Sequence, residues 1–203
     1  MRNILSVILI IAGGVLAFFG ARDYMASRFG QYEAARDLEE PAPPPPPPSS
    51  ALRPAPYSAP ALKPGETLGK LLIPRLNTEL FVVEGDDAKD LRLGPGHMPG
   101  TAMPGGDGNC IIAGHRDTHF RVLKDIRKGD DIVLETREGK YLYRVMSTQV
   151  VSPKNTDPLR DTPDAELHLI TCYPFYYVGS APKRFVVQAE LAGAITESAE
   201  ALP

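Results

Sequence analysis

The 203-residue chain has no tryptophan and only 7% aromatic residues, which leaves little from which to build a base-stacking platform. It also lacks any long Lys/Arg run, and its formal net charge is −3, so a phosphate backbone finds no electrostatic footprint. Nucleic acid is therefore not an expected partner. Cysteine is scarce, with Cys110 and Cys172 alone. Two cysteines cannot staple a secreted mini-protein through several bridges. They leave open one disulfide, or one buried hydrophobe and one reactive thiol.

Proline is the exception to this economy, with 21 in the chain and many crowded into one stretch. Pro41-Ala42 is followed by six prolines at 43–48, with more at 54, 56, 60 and 64. Such a segment cannot make backbone ladders and prefers the extended polyproline II form. From 41 to 64 it reaches roughly 70 Å at about 3.1 Å per residue. A semi-rigid spacer is favoured over a docking ligand for a polyproline-binding module, because of what lies on either side. Upstream, Ile4 to Ala21 is an eighteen-residue run without a charge. As a helix it spans about 27 Å, just short of a hydrocarbon core of about 30 Å. The run is longer than the apolar region of a signal peptide, and Phe19 would stand where a small residue is needed for cleavage after Ala21. An uncleaved signal anchor is the better reading. Residues 22–40 form a short polar stalk with helical character.

Downstream, from Gly65 to about Leu191, the pattern is one of short strands. Leu68–Pro74, Glu79–Val83, Asn109–Ala113, Asp131–Thr136, Lys140–Val151, Glu166–Cys172 and Arg184–Leu191 are rich in Val, Ile, Leu and Tyr and bounded by turn residues. The last shows the alternation plainly. Phe185, Val187, Ala189 and Leu191 fall on one face, and Arg184, Val186, Gln188 and Glu190 on the other. Glu138-Gly139 reads as a hairpin turn, and only Asp86–Leu93 and Phe120–Ile126 read as helical turns. The expected fold class is all-β, a closed barrel or sandwich. The expected division is residues 1–22 as membrane anchor, 23–64 as stalk and linker, 65–192 as the globular domain and 193–203 as a flexible tail.

Three residues stand at strand ends with reactive side chains. Cys172 closes the apolar run Leu167-His168-Leu169-Ile170-Thr171-Cys172, and Tyr173-Pro174 then breaks the strand. His115 follows Gly114 at the end of Cys110-Ile111-Ile112-Ala113. Arg184 opens the last strand after Pro182-Lys183, on the face opposite its apolar set. In a barrel, the ends of different strands converge on one rim, where a substrate reaches them. Taken alone, a strand-end cysteine is more often a small buried hydrophobe than a nucleophile.

With these three segments together, GHRDTHFRVL, LITCYPF and APKRFVV, the chain resembles the sortase family, most closely its class D and related Gram-negative branches. The resemblance runs from about Leu68 to Leu191, and Gly94-Pro-Gly-His97-Met-Pro-Gly-Thr101 shares in it. It implies a closed eight-stranded barrel behind a membrane anchor, with the catalytic domain on the extracytoplasmic side of the inner membrane and no cofactor. It implies that Cys172 is the nucleophile, His115 the catalytic histidine and Arg184 the essential arginine, with Thr171 matching the threonine before the nucleophile. It implies a secreted donor protein with a C-terminal LPxTG-like sorting signal. It also implies an amine acceptor, on cell-wall peptide or on another protein. One position departs: the family's strand often reads Thr-Leu-x-Thr-Cys, and His168 occupies the first threonine's place. His168 faces the same side as Cys172 but about 13 Å away at ~3.3 Å per residue, and reads as packing or a pocket wall.

Other readings follow from the same residues. His115 and His119 are four apart, but Arg116 replaces the glutamate of a zinc HExxH helix and a strand precedes them, so no metal site is expected. Asp117 is either an orienting partner of His115 or a turn residue. Cys110, amid Ile111 and Ile112, is expected to be buried and inert. Asp86-Asp87 reads as a helix N-terminus. A papain-like or cell-wall peptidase normally has cysteine before histidine, with the cysteine opening a helix; here the order is reversed. An inactive tethered binding domain would not need all three reactive residues.

Overall fold

Alternating apolar and polar residues let a strand bury one face while the other meets something else, and every segment with that pattern forms a strand. The computed structural model describes residues 62–195, with residues 11, 13, 15, 18, 21, 25, 31, 32 and 36. The expected anchor, the proline run and the end of the tail otherwise lie outside the described residues. Among the described residues, no helix is long and apolar enough to cross a membrane.

The strands are β1 (Thr67–Ile73), β2 (Thr78–Glu84), β3 (Gly96–His97), β4 (Asn109–Gly114), β5 (Asp131–Thr136), β6 (Lys140–Val151), β7 (Glu166–Tyr173) and β8 (Lys183–Ile195). They close a barrel in the order β1-β2-β3-β4-β7-β8-β6-β5, with β5 returning to β1. Two pairings, β2 with β3 and β4 with β7, are parallel, and the others antiparallel.

Three features differ from the sequence expectation, and the second helical turn agrees with it. β3 is new, and its two residues are too few to carry a period. It nonetheless bridges β2 to β4 through Val83↔Gly96 and His97↔Ile112. Only glycine fits at 96, because a Cβ there would lie 1.9 Å from the Gly85 carbonyl oxygen. Asp86–Leu93 is not a helix but a set of turns: Leu91 N–H reaches Asp87 O at 2.9 Å, and the chain then leaves through Gly94-Pro95. β8 runs four residues past Leu191, to Ile195, because Gly193, Ala194 and Ile195 pair with Leu142, Tyr141 and Lys140. The tail expected from residue 193 therefore begins as strand. The second expected helical turn is a 3₁₀ helix, His119–Asp125.

The barrel interior holds Leu71, Ile73, Val82, Cys110, Ile112, Ile132, Leu134, Tyr143, Leu167, Leu169, Val187 and Ala189, with Phe120 and Leu123 of the 3₁₀ helix in the same cluster. Each large aliphatic side chain removed from water here contributes about 1.5–3 kcal/mol. Alternation then forces the intervening residues outward. Thus Ala113, Ile170, Cys172, Arg184 and Val186 face a cavity outside the barrel wall, not its core. Before the barrel, the Gln31 side chain accepts from Phe81 N–H at 2.7 Å and donates to Phe81 O and Leu93 O, each at 2.9 Å. It occupies the β2 edge that two-residue β3 leaves uncovered.

Candidate active site

β4, β7 and β8 are consecutive staves of the barrel, and each brings one reactive side chain to the same level. Cys172 is directly opposite Arg184 in the β7–β8 ladder. Gly114 is opposite Thr171 in the parallel β4–β7 ladder, so the next residues along, His115 and Cys172, leave their strands side by side. All three line one cavity of about 360 Å³. Thiol, imidazole and guanidinium thus converge from three different strands.

Local packing fixes the exit of β4. A Cβ on Gly114 would come within 2.6 Å of the Phe120 ring, so the glycine lets the 3₁₀ helix fold back under His115. Phe120 N–H donates to His115 O at 3.0 Å, closing that turn. Thr171, buried beside the nucleophile, donates its hydroxyl to Gly114 O at 2.7 Å. The residue before Cys172 therefore holds the residue before His115. Arg116 donates to Tyr177 O at 2.8 Å and Gly179 O at 3.0 Å, tying the same exit to the loop after β7. Beyond Cys172, the Tyr173, Phe175 and Phe185 rings pack together with centroids 5.2–6.2 Å apart.

The four histidines have different surroundings, and only His115 lines the cavity. His97 is buried with Nδ1 2.7 Å from Glu84 Oε2 and Nε2 3.1 Å from Ala102 O. His168 is buried in a second network and does not line the cavity, so of the two sequence readings, packing or a pocket wall, it fits packing. His119 is buried, and desolvation, with the nearby His115 charge adding to it, lowers its pKa to about 4. It is therefore neutral near pH 7. Among the described residues no group of three or more His, Cys, Asp or Glu is arranged to hold a metal ion.

The two cysteines are both free and equally distinct. Cys110 is 1% exposed in the core, and burial, reinforced by the Glu84 charge, pushes its thiol well above the usual range. Cys172 is partly exposed at the cavity. Asp117 is exposed in a turn, and among the described residues no hydrogen bond joins it to His115.

The cavity's remaining walls were not visible in the sequence. Asp86, Leu91 and Met98 come from the segment around β3, and Val151, Pro153, Asn155, Pro158 and Leu159 from the end of β6 and the β6–β7 connection. Most are loop residues without any period. Their only sequence mark is proline density at 153 and 158. The result is a largely apolar trough with the thiol in its lining.

Residues 71–192 match the family model described as "Sortase domain". The chain is 33% identical over 192 residues to Sortase D of Bacillus subtilis, covering 92% of this chain and 97% of that protein. Among solved structures it resembles a Clostridium perfringens Sortase D5 transpeptidase, with 29% identity and a TM-score of 0.60 over 66% of this chain and 83% of that one. Sortase A from Corynebacterium diphtheriae is similar at 30% identity and a TM-score of 0.59, over 64% of this chain and 63% of that one.

Proposed function

Because this chain belongs to the sortase family, we propose that it is a cysteine transpeptidase that cleaves a C-terminal LPxTG-like sorting signal and passes the acyl group to an amine. The carrying observation is the ladder register that sets Cys172 opposite Arg184 and beside His115 on one cavity.

In this mechanism the Cys172 thiolate attacks the scissile carbonyl, forming a C–S bond while the carbonyl π pair moves onto oxygen. The Arg184 guanidinium stabilises that oxyanion, a role in which one lost donor costs about 3–4 kcal/mol. Collapse breaks the C–N bond, and His115 gives its proton to the departing amine. The acceptor amine then loses a proton to His115, attacks the thioester carbonyl and expels the thiolate. Atoms and charge balance without a cofactor. The trough walls of Leu91, Met98, Val151 and Leu159 suit the apolar part of a sorting signal.

The donor under this reading is a secreted protein, and the acceptor is a cell-wall peptide or another protein. The uncharged run Ile4–Ala21 supports an anchor in the inner membrane, with the barrel on the extracytoplasmic side where such donors arrive.

The test incubates the full chain with LPxTG-type peptides and an amine, following intact mass. A Cys172 thioester and a Cys172-dependent ligated product are expected. A thioester that yields only hydrolysed peptide with every amine would make the protein a peptidase, and no adduct with any peptide would overturn the reading.

A further inference from the structure

The wall of the trough at Pro158 and Leu159 belongs to a short 3₁₀ turn, Asp157–Leu159, with little internal bonding of its own. It is held from behind. His168 on β7 points its Nδ1 at Pro158 O, 2.6 Å away, and its Nε2 at Glu166 Oε2, 3.0 Å away. Pro158 O can only accept, so Nδ1–H donates across the 2.6 Å contact, and the Asn109 amide nitrogen lies 3.0 Å from the same Nδ1. Glu166 Oε2 also accepts from Gln188 Nε2 at 3.1 Å, and Gln188 Oε1 accepts from Ser147 at 3.2 Å. A continuous chain of bonds therefore runs from β6 through β8 and β7 to the trough wall.

Asn109 on β4 joins at the same point. Its amide nitrogen donates to Pro158 O and Arg160 O, each at 3.1 Å, while its buried Oδ1 has no partner. An unpaired buried acceptor costs about 1–3 kcal/mol. The amide is thus oriented toward the loop carbonyls at the expense of its own oxygen. His168 is 5% exposed and Asn109 2%, so water does not compete for these bonds.

We propose that His168 is a positioning residue for donor binding: with Asn109, it latches the Asp157–Leu159 wall through the Pro158 carbonyl and so fixes the shape of the trough that receives the sorting signal. His168 touches neither the thiol nor the reacting atoms, and its effect is on binding rather than on the chemical step. This assignment rests on the trough being the donor site. It also gives the departure from the family's threonine at this position a task, since a threonine cannot reach in both directions at once.

The experiment uses the full chain as wild type, His168→Leu, His168→Asn and Glu166→Gln. Amide hydrogen exchange reads the latch directly: residues 155–160 are expected to exchange about tenfold faster in His168→Leu, with β4, β7 and β8 unchanged. With the best-turned-over peptide of an LPxTG panel, KM is expected to rise about tenfold while kcat changes less than about twofold. His168→Asn keeps a donor near the Nδ1 position and should recover part of the KM. Glu166→Gln, almost isosteric, should show a smaller version of both effects and covers the case in which His168→Leu fails to fold. Unchanged exchange at 155–160 in a folded variant overturns the latch. A fall in kcat at constant KM overturns the binding role. Wild type that alkylates at Cys172 yet turns over no peptide would instead count against the donor assignment, while exchange still decides the latch.

Discussion

Cys172 and Arg184 are cross-strand partners in the β7–β8 ladder, so the spacing of the backbone positions that carry thiol and guanidinium is set by strand pairing. Opposed residues in an antiparallel pair have Cβ atoms about 4.5–5.5 Å apart. From that root the Arg184 guanidinium donates to Lys183 O at 3.1 Å and lines the same cavity as the thiol, where it can turn to an oxyanion forming on a carbonyl attacked by the sulfur.

Arg184→Lys is expected to lower kcat by about a hundredfold, since a point charge on a flexible stem does not reproduce the planar donor fork. Iodoacetamide labelling of Cys172 should continue in this variant. Retention of near-wild-type kcat would remove Arg184 from the oxyanion role.

Cys172→Ala should abolish thioester and product, while Cys110→Ala should leave turnover largely intact. In the wild type, alkylation mapped by peptide mass should mark Cys172 and spare Cys110, which is buried and whose thiol burial pushes well above its usual range. Equal losses in the two variants would sink the assignment of a single nucleophile.

Thr171→Val removes the hydroxyl that binds Gly114 O but keeps the shape of the side chain. Losing that bond and leaving the carbonyl buried is expected to reduce kcat/KM by about tenfold, because His115 follows Gly114 directly. Stopped assays on the folded variant would check it, and unchanged kcat/KM would show that β4 holds His115 unaided.

His119 makes acid stability a measurable property of the site's floor. Its folded pKa is depressed to about 4, mainly by burial. The unfolded chain binds that proton from about pH 6.5 downward. The unfolded state therefore binds more protons across this window, and stability is full above about pH 6.5 and falls as pH drops toward 4, by up to about 3 kcal/mol. Urea unfolding at pH 7 and pH 4 should show this fall in the wild type and a smaller one in His119→Gln. Equal pH slopes in both proteins would place the acid sensitivity elsewhere.

The strands were legible because their faces have different fates. β5 and β6 match the sequence reading residue for residue, and the inward set Phe185, Val187, Ala189 and Leu191 packs on or in the core as the alternation demands. His115, Cys172 and Arg184 could be picked out because each stands at an end of an apolar strand, the first two where one stops and Arg184 where one begins. What was illegible depends on long-range pairing or on loops. β3 exists only because β2 and β4 lie on either side of it. Asp86–Leu93 has acidic residues at its start like a helix, yet only Asp87 O and Asp90 O accept i to i+4 backbone bonds, from Leu91 and Gly94, before Gly94-Pro95 turns it away. The trough wall at 153–159 has no period at all, and its anchorage to His168 joins positions ten residues apart in sequence.

Chemistry on the outer face and packing on the inner face of the same strand have opposite tolerances to change. Swapping one inward aliphatic for another of similar volume costs under about 1.5 kcal/mol and leaves the reactive face alone. Inserting or deleting a single residue between Glu166 and Cys172 is another matter, because a slip of one reverses the facing of everything beyond it. Thr171 would then look out on the trough, and the thiol would be sealed inside the barrel with Leu169's former neighbours. For β7, then, sequence drift should accumulate as substitution while its length stays constant.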